Sequence, residues 1–365
     1  MRKKIVTVFG TRPEAIKMCP LIQELRERDM DCRVCVTGQH RDMVEPILSL
    51  FGIQPDYDLA VMRQGQDLFD VTVAVLERLR EVLLLERPHM VLVHGDTTST
   101  FSAALACFYL GIPVGHVEAG LRTYDMSAPF PEEWNRRAVS LIAAHHFAPT
   151  ERAGENLLRE GLRADRITVT GNTGLDALRT TVRQGYAHPL LDWVGESRLL
   201  LLTAHRRENL GDPMRRMLRG IRRILSEFED VKILYPVHLN PAVRAVAEEE
   251  LGDCPRIRLI PPLEVTDFHN FLARCYLVLT DSGGIQEEAP ALHKPVLVMR
   301  NLTERQEGLD AGVLRLIGTA EGSVYRGIYE LLTNPALYHA MSQAPCPYGD
   351  GYASRRIADR LEELL

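Results

Sequence analysis

The chain has 365 residues, more than one ordinary hydrophobic core accommodates, so its length predicts two domains. A formal net charge of -6 argues against a nucleic-acid-binding protein, and no apolar run approaches the roughly 20 residues of a membrane span. The apolar run from Ile5 to Phe9 is too short for a signal-peptide core, so we expect a cytoplasmic protein.

Strand-like apolar runs alternate with helical patterns along the whole chain, which predicts βα units and parallel sheets. In the first half the predicted strands are Lys4–Phe9, Cys32–Thr37, Met90–His94, Pro113–Val117 and His145–Ala148. The predicted helices there are Ile16–Arg28, Leu68–Glu86 and Thr98–Leu110.

A second series of βα units begins after Asn172, where we place the boundary between the two domains. Its predicted strands are Leu199–Thr203, Lys232–Pro236, Ile257–Ile260, Leu277–Thr280 and Val296–Met299. Helices are predicted at Pro213–Glu227 and Pro241–Leu251, and the final helix, Ala353–Leu365, could pack on either domain.

The seven cysteines are an odd and scattered set, which does not indicate a disulfide framework. Cys32 and Cys35 have CxxC spacing, but they lie in a strand-like run, where positions three apart face opposite sides. No second pair completes a zinc site, and no Gly-x-Gly-x-x-Gly fingerprint indicates a nicotinamide cofactor. We therefore expect neither a metal nor a cofactor.

The turn after the first strand carries two cations, Arg12 and Lys17, near the start of a helix. Cations there oppose the helix dipole, which suggests that an anion lies between them. The alternative is a pair of solvated surface cations.

Three acidic residues, Asp96, Glu118 and Glu132, follow in the βα loops of the same predicted sheet edge. Carboxylates gathered in a cleft are costly unless they are paired or partly protonated, and such an arrangement suits acid–base chemistry. Any one of them alone could be a helix cap or an ion-pair partner, and Asp96 could cap the helix that begins near Thr98.

In the second half, the strand ending at Thr280 leads into a turn formed by Ser282, Gly283 and Gly284. Free backbone N–H groups at such a strand-to-helix turn favour a phosphate, and the glycines allow a close approach. Glu288, about one helical turn further on, could accept hydrogen bonds from both hydroxyls of a ribose. The alternative is an ordinary βα turn with glycines for packing.

Other strand ends in the second half carry polar or apolar groups suited to a nucleotide. His205 could donate to a phosphate or act as an acid, whereas Asn240 could simply be a helix N-cap. The loop from Pro261 through Phe268, which includes Leu263, could form a wall for a base. Arg305 could reach a diphosphate.

Eight motifs occur in a fixed order along nearly the whole chain: Gly-Thr-Arg-Pro-Glu-Ala-Ile-Lys (10–17), His-Gly-Asp-Thr (94–97), His-Val-Glu-Ala-Gly-Leu-Arg-Thr (116–123), Pro-Glu-Glu (131–133), His-Arg-Arg-Glu (205–208), Pro-Val-His-Leu-Asn-Pro (236–241), Asp-Ser-Gly-Gly-Ile-Gln-Glu-Glu-Ala-Pro (281–290) and Pro-Tyr-Gly-Asp-Gly (347–351). Together they resemble the non-hydrolysing UDP-N-acetylglucosamine 2-epimerases of bacteria.

The resemblance implies a GT-B-like α/β fold, in which two Rossmann-like domains with parallel sheets flank a cleft. The domains would be residues 1–171 and 172–352, with the helix 353–365 packing back on the first domain. The family interconverts UDP-GlcNAc and UDP-ManNAc without a cofactor, by eliminating UDP to 2-acetamidoglucal and adding it back with C2 inverted. Relatives are usually dimers, so a homodimer is implied, and the product would supply ManNAc units for surface polysaccharide.

The resemblance also implies residue roles. The catalytic set would be Asp96, Glu118, Glu132 and His205, with base and acid unassigned among the carboxylates. The UDP site would comprise Arg12, Lys17, Leu263, Phe268, Ser282, Gly283, Gly284, Glu288 and Arg305. Gln39, His40 and Gln66 match part of the activator site of some relatives.

Two positions depart from the family pattern. Gly65 stands where some relatives have Arg, which puts substrate activation in doubt. Gln306 stands where relatives often have Pro, which should loosen that turn without removing Arg305.

Three other functions remain as alternatives. A hydrolysing epimerase would release ManNAc and UDP, and a GT-B glycosyltransferase would use the same nucleotide site with an acceptor pocket. A non-catalytic nucleotide-sugar sensor would need no acid–base groups. The carboxylates Asp96, Glu118 and Glu132 favour the epimerase over all three.

Overall fold

The computed structural model describes residues 3–39, 41–63, 65–206 and 209–365. The chain folds into two compact units. The first consists of Met1–Ala177 and Tyr348–Leu365, and the second of Leu178–Pro347.

Each unit contains one parallel sheet. The strands of the first are β1 (Lys4–Phe9), β2 (Asp31–Val36), β3 (Tyr57–Asp58), β4 (Met90–His94), β5 (Val114–Val117), β6 (His145–Ala148) and β7 (Ile167–Val169). The strands of the second are β8 (Arg198–Thr203), β9 (Val231–Pro236), β10 (Ile257–Ile260), β11 (Leu277–Thr280), β12 (Val296–Val298) and β13 (Leu314–Leu316).

Helices connect the strands. They are α1 (Arg12–Glu27), α2 (Arg41–Leu50), α3 (Leu68–Glu86), α4 (Thr98–Tyr109), α5 (Glu132–Ile142), α6 (Glu151–Arg159), α7 (Thr173–Thr181), α8 (Pro189–Val194), α9 (Asp212–Glu227), α10 (Pro241–Leu251), α11 (Val265–Arg274), α12 (Ile285–Ala291), α13 (Gln306–Asp310), α14 (Glu321–Thr333), α15 (Pro335–Gln343) and α16 (Ala353–Leu364). None of the helices within the described ranges combines the length and apolar character needed to cross a membrane.

Two of the sequence motifs in each unit follow the strands at which the strand order of that sheet reverses. The first sheet has the order β3-β2-β1-β4-β5-β6-β7, so the order reverses between β1 and β4. The second has the order β10-β9-β8-β11-β12-β13 and reverses between β8 and β11. Ligands of open α/β sheets bind outside the carboxyl ends of the strands at such points.

The strands form because their apolar runs are buried by helices on both faces, as parallel sheets require. In the first unit, Val6 and Val8 of β1 pack in one cluster with Val75 and Leu79 of α3. In the second unit, Leu200 of β8 belongs to a cluster that includes residues of α9 and α14. The two-domain α/β class predicted from the sequence is therefore correct.

Most predicted elements are confirmed, and several match to the residue, including β1, β4, β6, β10, β11, α3 and α10. The start of the first helix was wrong, because α1 begins at Arg12 and not at Ile16. Pro13 is favourable in the first turn of a helix, and the Glu14 side chain accepts from the backbone N–H of Thr11 at 2.7 Å.

The last helix, α16, lies in the first unit and packs on α1. Arg28 Nη1 donates to Asp359 Oδ1 at 2.6 Å. The backbone N–H groups of Ala353 and Ser354 donate to the Asp176 carboxylate at 3.1 and 2.7 Å, which fixes the start of the helix.

Candidate active site

The first sheet brings Asp96, Glu118 and Glu132 together at its carboxyl edge. Burial raises the pKa of Asp96, Arg136 opposes that shift, and the negative charges of Glu118 and Glu132 raise the pKa further. Arg136 Nη2 donates to Asp96 Oδ2. The grouping expected from the sequence is thus present, because β4 and β5 are neighbours and their carboxyl ends coincide.

Asp96 does not cap α4, so that alternative for its role is wrong. Thr97 is the N-cap, and its Oγ1 accepts from the backbone N–H of Thr100 at 3.1 Å. The Asp96 side chain is therefore not used to satisfy the end of the helix.

Glu118 is held between a lysine and a buried histidine. Lys17 Nζ donates to Glu118 Oε2, and His94 Nε2 lies 3.7 Å from the same oxygen. Burial lowers the pKa of His94, Glu118 opposes that shift, and Lys17 adds to it, which favours a neutral ring. The Glu118 backbone has φ +63°, a left-handed conformation that costs a non-glycine residue energy and often occurs at functional sites.

Glu132 and Glu133 are adjacent but differ in environment. Glu133 is fully buried and accepts from the backbone N–H groups of Thr123 at 3.0 Å and Tyr124 at 3.1 Å. Glu132 Oε2 is buried and has no hydrogen-bond partner among the residues that the structure describes. Glu133 therefore anchors a loop, whereas Glu132 retains an acceptor for a ligand or a proton.

The turn between β1 and α1 is fixed by Glu14, whose role sequence reasoning missed. Glu14 Oε2 accepts from the N–H groups of Gly10 at 2.9 Å and Thr11 at 2.7 Å. Glu14 Oε1 accepts from the hydroxyls of Thr97 at 2.7 Å and Thr100 at 3.0 Å. This buried carboxylate joins the loops after β1 and β4.

Arg12 and Lys17, the two cations of that turn, have different settings. Arg12 is half-buried at the first position of α1. Lys17 is only 15% exposed and pairs with Glu118, so it is not a solvated surface cation.

In the second unit, Asp281 ties the loop after β8 to the end of β11. Its fully buried carboxylate accepts from the N–H groups of His205 at 3.0 Å and Arg206 at 2.9 Å. Asn209 Nδ2 donates to it at 3.0 Å. The sequence indicated the motif that begins with Asp281, but only the structure shows that this side chain anchors the loop after β8.

His205 is thereby placed beside a second histidine. Its ring stacks on His238, with centroids 5.4 Å apart and an interplanar angle of 12°. Burial lowers the pKa of His205, Asp281 opposes that shift, and His238 and Arg206 lower the pKa further. Asn240, in the loop after β9, is confirmed as the N-cap of α10, because its Oδ1 accepts from the N–H of Ala242 at 3.0 Å.

The turn of Ser282, Gly283 and Gly284 lies against Arg305. A Cβ added to Gly283 would lie 3.2 Å from Glu304 Oε1 and 3.4 Å from Arg305 Nη2, so both side chains lie against this glycine. Arg305 Nε donates to Glu287 Oε1 at 2.8 Å, and Arg305 Nη1 lies 3.0 Å from Glu304 Oε1. Arg305 therefore lies beside the glycine turn.

Glu288 lies on α12 near a buried histidine that the sequence did not single out. His269 Nε2 is 3.6 Å from Glu288 Oε2, and His269 Nδ1 is hydrogen-bonded to Thr181 Oγ1 at 2.7 Å. The neighbouring Phe268, together with Leu263, is partly buried against the core of this unit. Leu263 precedes α11, Phe268 lies on it, and Glu288 of α12 approaches it at His269.

Gln39 and Gln66, the described members of the expected activator site, contact different elements. Gln39 Oε1 accepts from Ser99 Oγ at 3.0 Å, next to the start of α4. Gln66 Oε1 accepts from the N–H of Arg63 at 2.7 Å, before α3. His40, the third member, lies outside the described residues.

The two cysteines with CxxC spacing lie in the interior of the first unit. Cys32 and Cys35 are buried free thiols, and burial raises the pKa of each to about 12. Among the described residues, no group of His, Cys, Asp and Glu is arranged to hold a metal ion.

Comparison with known proteins gives consistent matches over the whole chain. The family model of UDP-N-acetylglucosamine 2-epimerase matches residues 23–362. The chain is 58% identical over 363 residues to UDP-N-acetylglucosamine 2-epimerase of Bacillus subtilis, covering 99% of this chain and 95% of that protein.

Solved structures match equally well. The S. aureus protein MnaA, solved with UDP, is 48% identical with a TM-score of 0.92, covering 99% of this chain and 96% of that one. UDP-GlcNAc 2-epimerase from Neisseria meningitidis, bound to UDP-GlcNAc, is 42% identical with a TM-score of 0.90, covering 99% and 100%.

Two parallel α/β sheets with charged side chains at their carboxyl edges define a GT-B-like protein of two Rossmann-like domains. The sequence matches narrow that class to one kind of enzyme. The chain belongs to the UDP-N-acetylglucosamine 2-epimerase family.

Proposed function

We propose that this protein interconverts UDP-GlcNAc and UDP-ManNAc by a non-hydrolysing mechanism. UDP leaves C1 and the C2 proton is removed, which gives 2-acetamidoglucal. UDP then adds back, and a proton is delivered to the opposite face of C2. The observation that carries the proposal is the cluster of Asp96, Glu118 and Glu132 at one sheet edge, where the negative charges of Glu118 and Glu132 both raise the pKa of Asp96.

The mechanism explains why several acid–base groups are needed. The C2 proton is not acidic by itself, but departure of UDP builds positive charge on the ring and acidifies it. Removal on one face and delivery on the other require two groups, which we assign among Asp96, Glu118 and Glu132. A proton held by one carboxylate while its neighbour stays ionised is the expected state of such a cluster.

Stabilisation of the leaving diphosphate is assigned to cations and backbone donors. Arg12, Lys17, His205, Arg305 and the N–H groups from Ser282 to Gly284 would contact the diphosphate. Donors and cations that point at developing charge lower the barrier most when they are already in position. Glu287 holds Arg305, and Asp281 holds the backbone of His205.

The nucleoside would be recognised in the second unit. We assign the ribose hydroxyls to Glu288, which His269 flanks, and the uracil to Leu263 and Phe268. Relatives solved with UDP and with UDP-GlcNAc support ligands of this class. We further propose a homodimer whose product supplies ManNAc units for surface polysaccharide.

Proton NMR of the purified protein with UDP-GlcNAc in deuterated water tests the proposal. We expect UDP-ManNAc signals to grow while the C2 proton signal is lost, with no cofactor added. Free ManNAc with UDP would instead identify a hydrolysing epimerase. Unchanged UDP-GlcNAc, in protein shown to bind UDP, would indicate a glycosyltransferase or a sensor.

Asp96→Asn supplies the matched variant for that experiment. Because the amide is nearly isosteric, we expect UDP affinity within about twofold of the wild type and turnover lower by a factor of about 10² or more. Near-normal turnover would remove Asp96 from the catalytic set.

A further inference from the structure

Arg136 connects Asp96 to a buried carboxylate on the same helix. Its Nη2 donates to Asp96 Oδ2, and its Nη1 lies 3.4 Å from Glu133 Oε2. The Arg136 side chain is only 12% exposed, while Glu133 is fully buried. The guanidinium is therefore held between two carboxylates, one from α5 and one from the loop after β4.

Glu133 is itself fixed by the backbone. Each of its oxygens accepts one N–H group, from Thr123 at 3.0 Å and Tyr124 at 3.1 Å. Asn135, which precedes Arg136, also connects α5 to the loop after β4, because its Nδ2 donates to the Asp96 backbone oxygen at 2.9 Å. Arg136 is thus placed by Asp96 and by a carboxylate that the backbone of the loop at Thr123 and Tyr124 holds.

The charges that face Asp96 show why such a cation is needed. Glu118 approaches from the end of β5 and Glu132 from the start of α5, and both favour the protonated form of Asp96, as burial does. Lys17, a second cation near these carboxylates, is paired with Glu118. Arg136 supplies the positive charge that opposes protonation of Asp96.

We propose that Arg136, held in place by Glu133, is a positioning residue that favours the ionised form of Asp96 and orients its carboxylate for proton transfer at C2. This inference rests on the proposed epimerase function. It assigns Arg136 no contact with the substrate, so its loss affects the chemical step and not the affinity for UDP.

The test compares Arg136→Gln and Arg136→Lys with Arg137→Gln, a matched control at the next position of α5. For each protein, kcat and KM for UDP-GlcNAc are measured from pH 5 to 9. UDP affinity is measured by calorimetry, and thermal melting confirms folding.

In Arg136→Gln we expect the acidic limb of the kcat/KM profile to move to higher pH by about one unit or more, since an adjacent cation depresses a carboxyl pKa by about 1–3 units. We expect kcat at pH 7 to fall by a factor of about 10² and UDP affinity to stay within about twofold. Arg136→Lys keeps a charge without the planar fork, so its rate and pH limb should lie between those of Arg136→Gln and the wild type. Arg137→Gln should match the wild type.

Three outcomes would overturn the inference. The first is an unshifted acidic limb in folded Arg136→Gln, and the second is a loss of UDP affinity that accounts for the loss of activity. The third applies if Arg136→Gln does not fold: a wild-type kcat together with a wild-type acidic limb in Arg136→Lys would show that the planar fork of Arg136 does not orient Asp96. A wild-type protein without C2 exchange would instead contradict the proposed function itself, and that result is obtained before any variant is made.

Discussion

Lys17 and Glu118 form an ion pair that joins the first helix of the chain to the loop after β5. Their side chains are 15% and 13% exposed, so the pair is screened little by solvent. Lys17 was expected in the UDP site and Glu118 among the acid–base groups. Their contact means that a change at Lys17 also changes the charge that Glu118 experiences.

Lys17→Met should therefore affect turnover more than nucleotide binding. We expect kcat to fall by a factor of about 10² because Glu118 loses its cation, while UDP affinity falls by about tenfold or less. Steady-state kinetics and calorimetry with UDP measure the two effects. Lys3→Met, at an exposed position, is the control. A loss of UDP affinity larger than the loss of kcat would show that Lys17 serves mainly the diphosphate.

Glu288→Ala tests the assignment of the ribose. Hydrogen bonds to a charged group are worth about 1.5–3 kcal/mol, so UDP affinity should fall by about tenfold or more. The same variant should lose discrimination between UDP and 2′-deoxy-UDP, because the missing hydroxyl matters only while the carboxylate is present. Calorimetry with the two nucleotides gives the comparison. Discrimination that persists in Glu288→Ala would place the ribose elsewhere.

The fold could be predicted largely because buried parallel strands are continuous apolar runs. Met90–His94 and Leu277–Thr280 are buried throughout and matched to the residue. Tyr57–Asp58 has only two residues and Ile167–Val169 has half-buried ones, so these two strands carry no such signal. Each forms a strand because a neighbouring strand supplies hydrogen-bond partners, and that pairing depends on the tertiary structure.

The candidate site could be predicted where topology alone decides. Asp96 and Glu118 follow neighbouring parallel strands, and the carboxyl ends of such strands must coincide. The sequence does not show which of the adjacent Glu132 and Glu133 is the buried anchor, because that depends on the path of the loop through Thr123. The contact between His269 and Glu288 was missed for the same reason, since it joins two helices.

Glu304 offers a pH-dependent contribution to the stability of the second unit. Its carboxylate lies 2.9 Å from Arg300 Nη1, 3.0 Å from Arg305 Nη1 and 3.6 Å from Arg206 Nη2. Burial alone would raise its pKa, but Arg305 and Arg300 outweigh burial and lower the pKa of Glu304 to about 2. A carboxyl group whose pKa is lower in the folded than in the unfolded protein stabilises the fold at pH values above its unfolded-state pKa. That stabilisation is lost as the pH falls toward the folded-state pKa.

Glu304→Gln should consequently lower the free energy of unfolding at pH 7 by about 1–2 kcal/mol, after allowance for solvent screening. The deficit should narrow as the pH falls from 4.5 toward 2, the window between the ordinary and the lowered pKa. Urea titrations monitored by Trp193, in a Trp134→Phe background, report on this unit. A deficit that stays constant across that window would show that the charge of Glu304 is not what stabilises it.

Three of the buried histidines in the first sheet, His116, His145 and His146, predict that the first unit loses stability in acid. Burial lowers the pKa of His116 to about 3 and those of His145 and His146 to about 4. These rings are neutral in the folded protein, whereas in the unfolded chain they take up protons near pH 6.5. Below that pH the unfolded state binds more protons, so stability falls by about 1.4 kcal/mol per pH unit for each histidine until the folded pKa is reached.

His146→Phe isolates one of these contributions. His146 is fully buried, and neither ring nitrogen has a hydrogen-bond partner within the described part of the chain, so an apolar ring of similar shape should be tolerated. Urea titrations at pH 7, 6 and 5, followed by Trp134 in a Trp193→Phe background, should show a free energy of unfolding that depends less on pH. The difference in slope should correspond to about one fewer proton taken up on unfolding. Phe147→Leu, at the next position of β6, should lower stability at every pH and leave the slope unchanged. A slope in His146→Phe equal to that of the wild type would mean that His146 binds as many protons folded as unfolded.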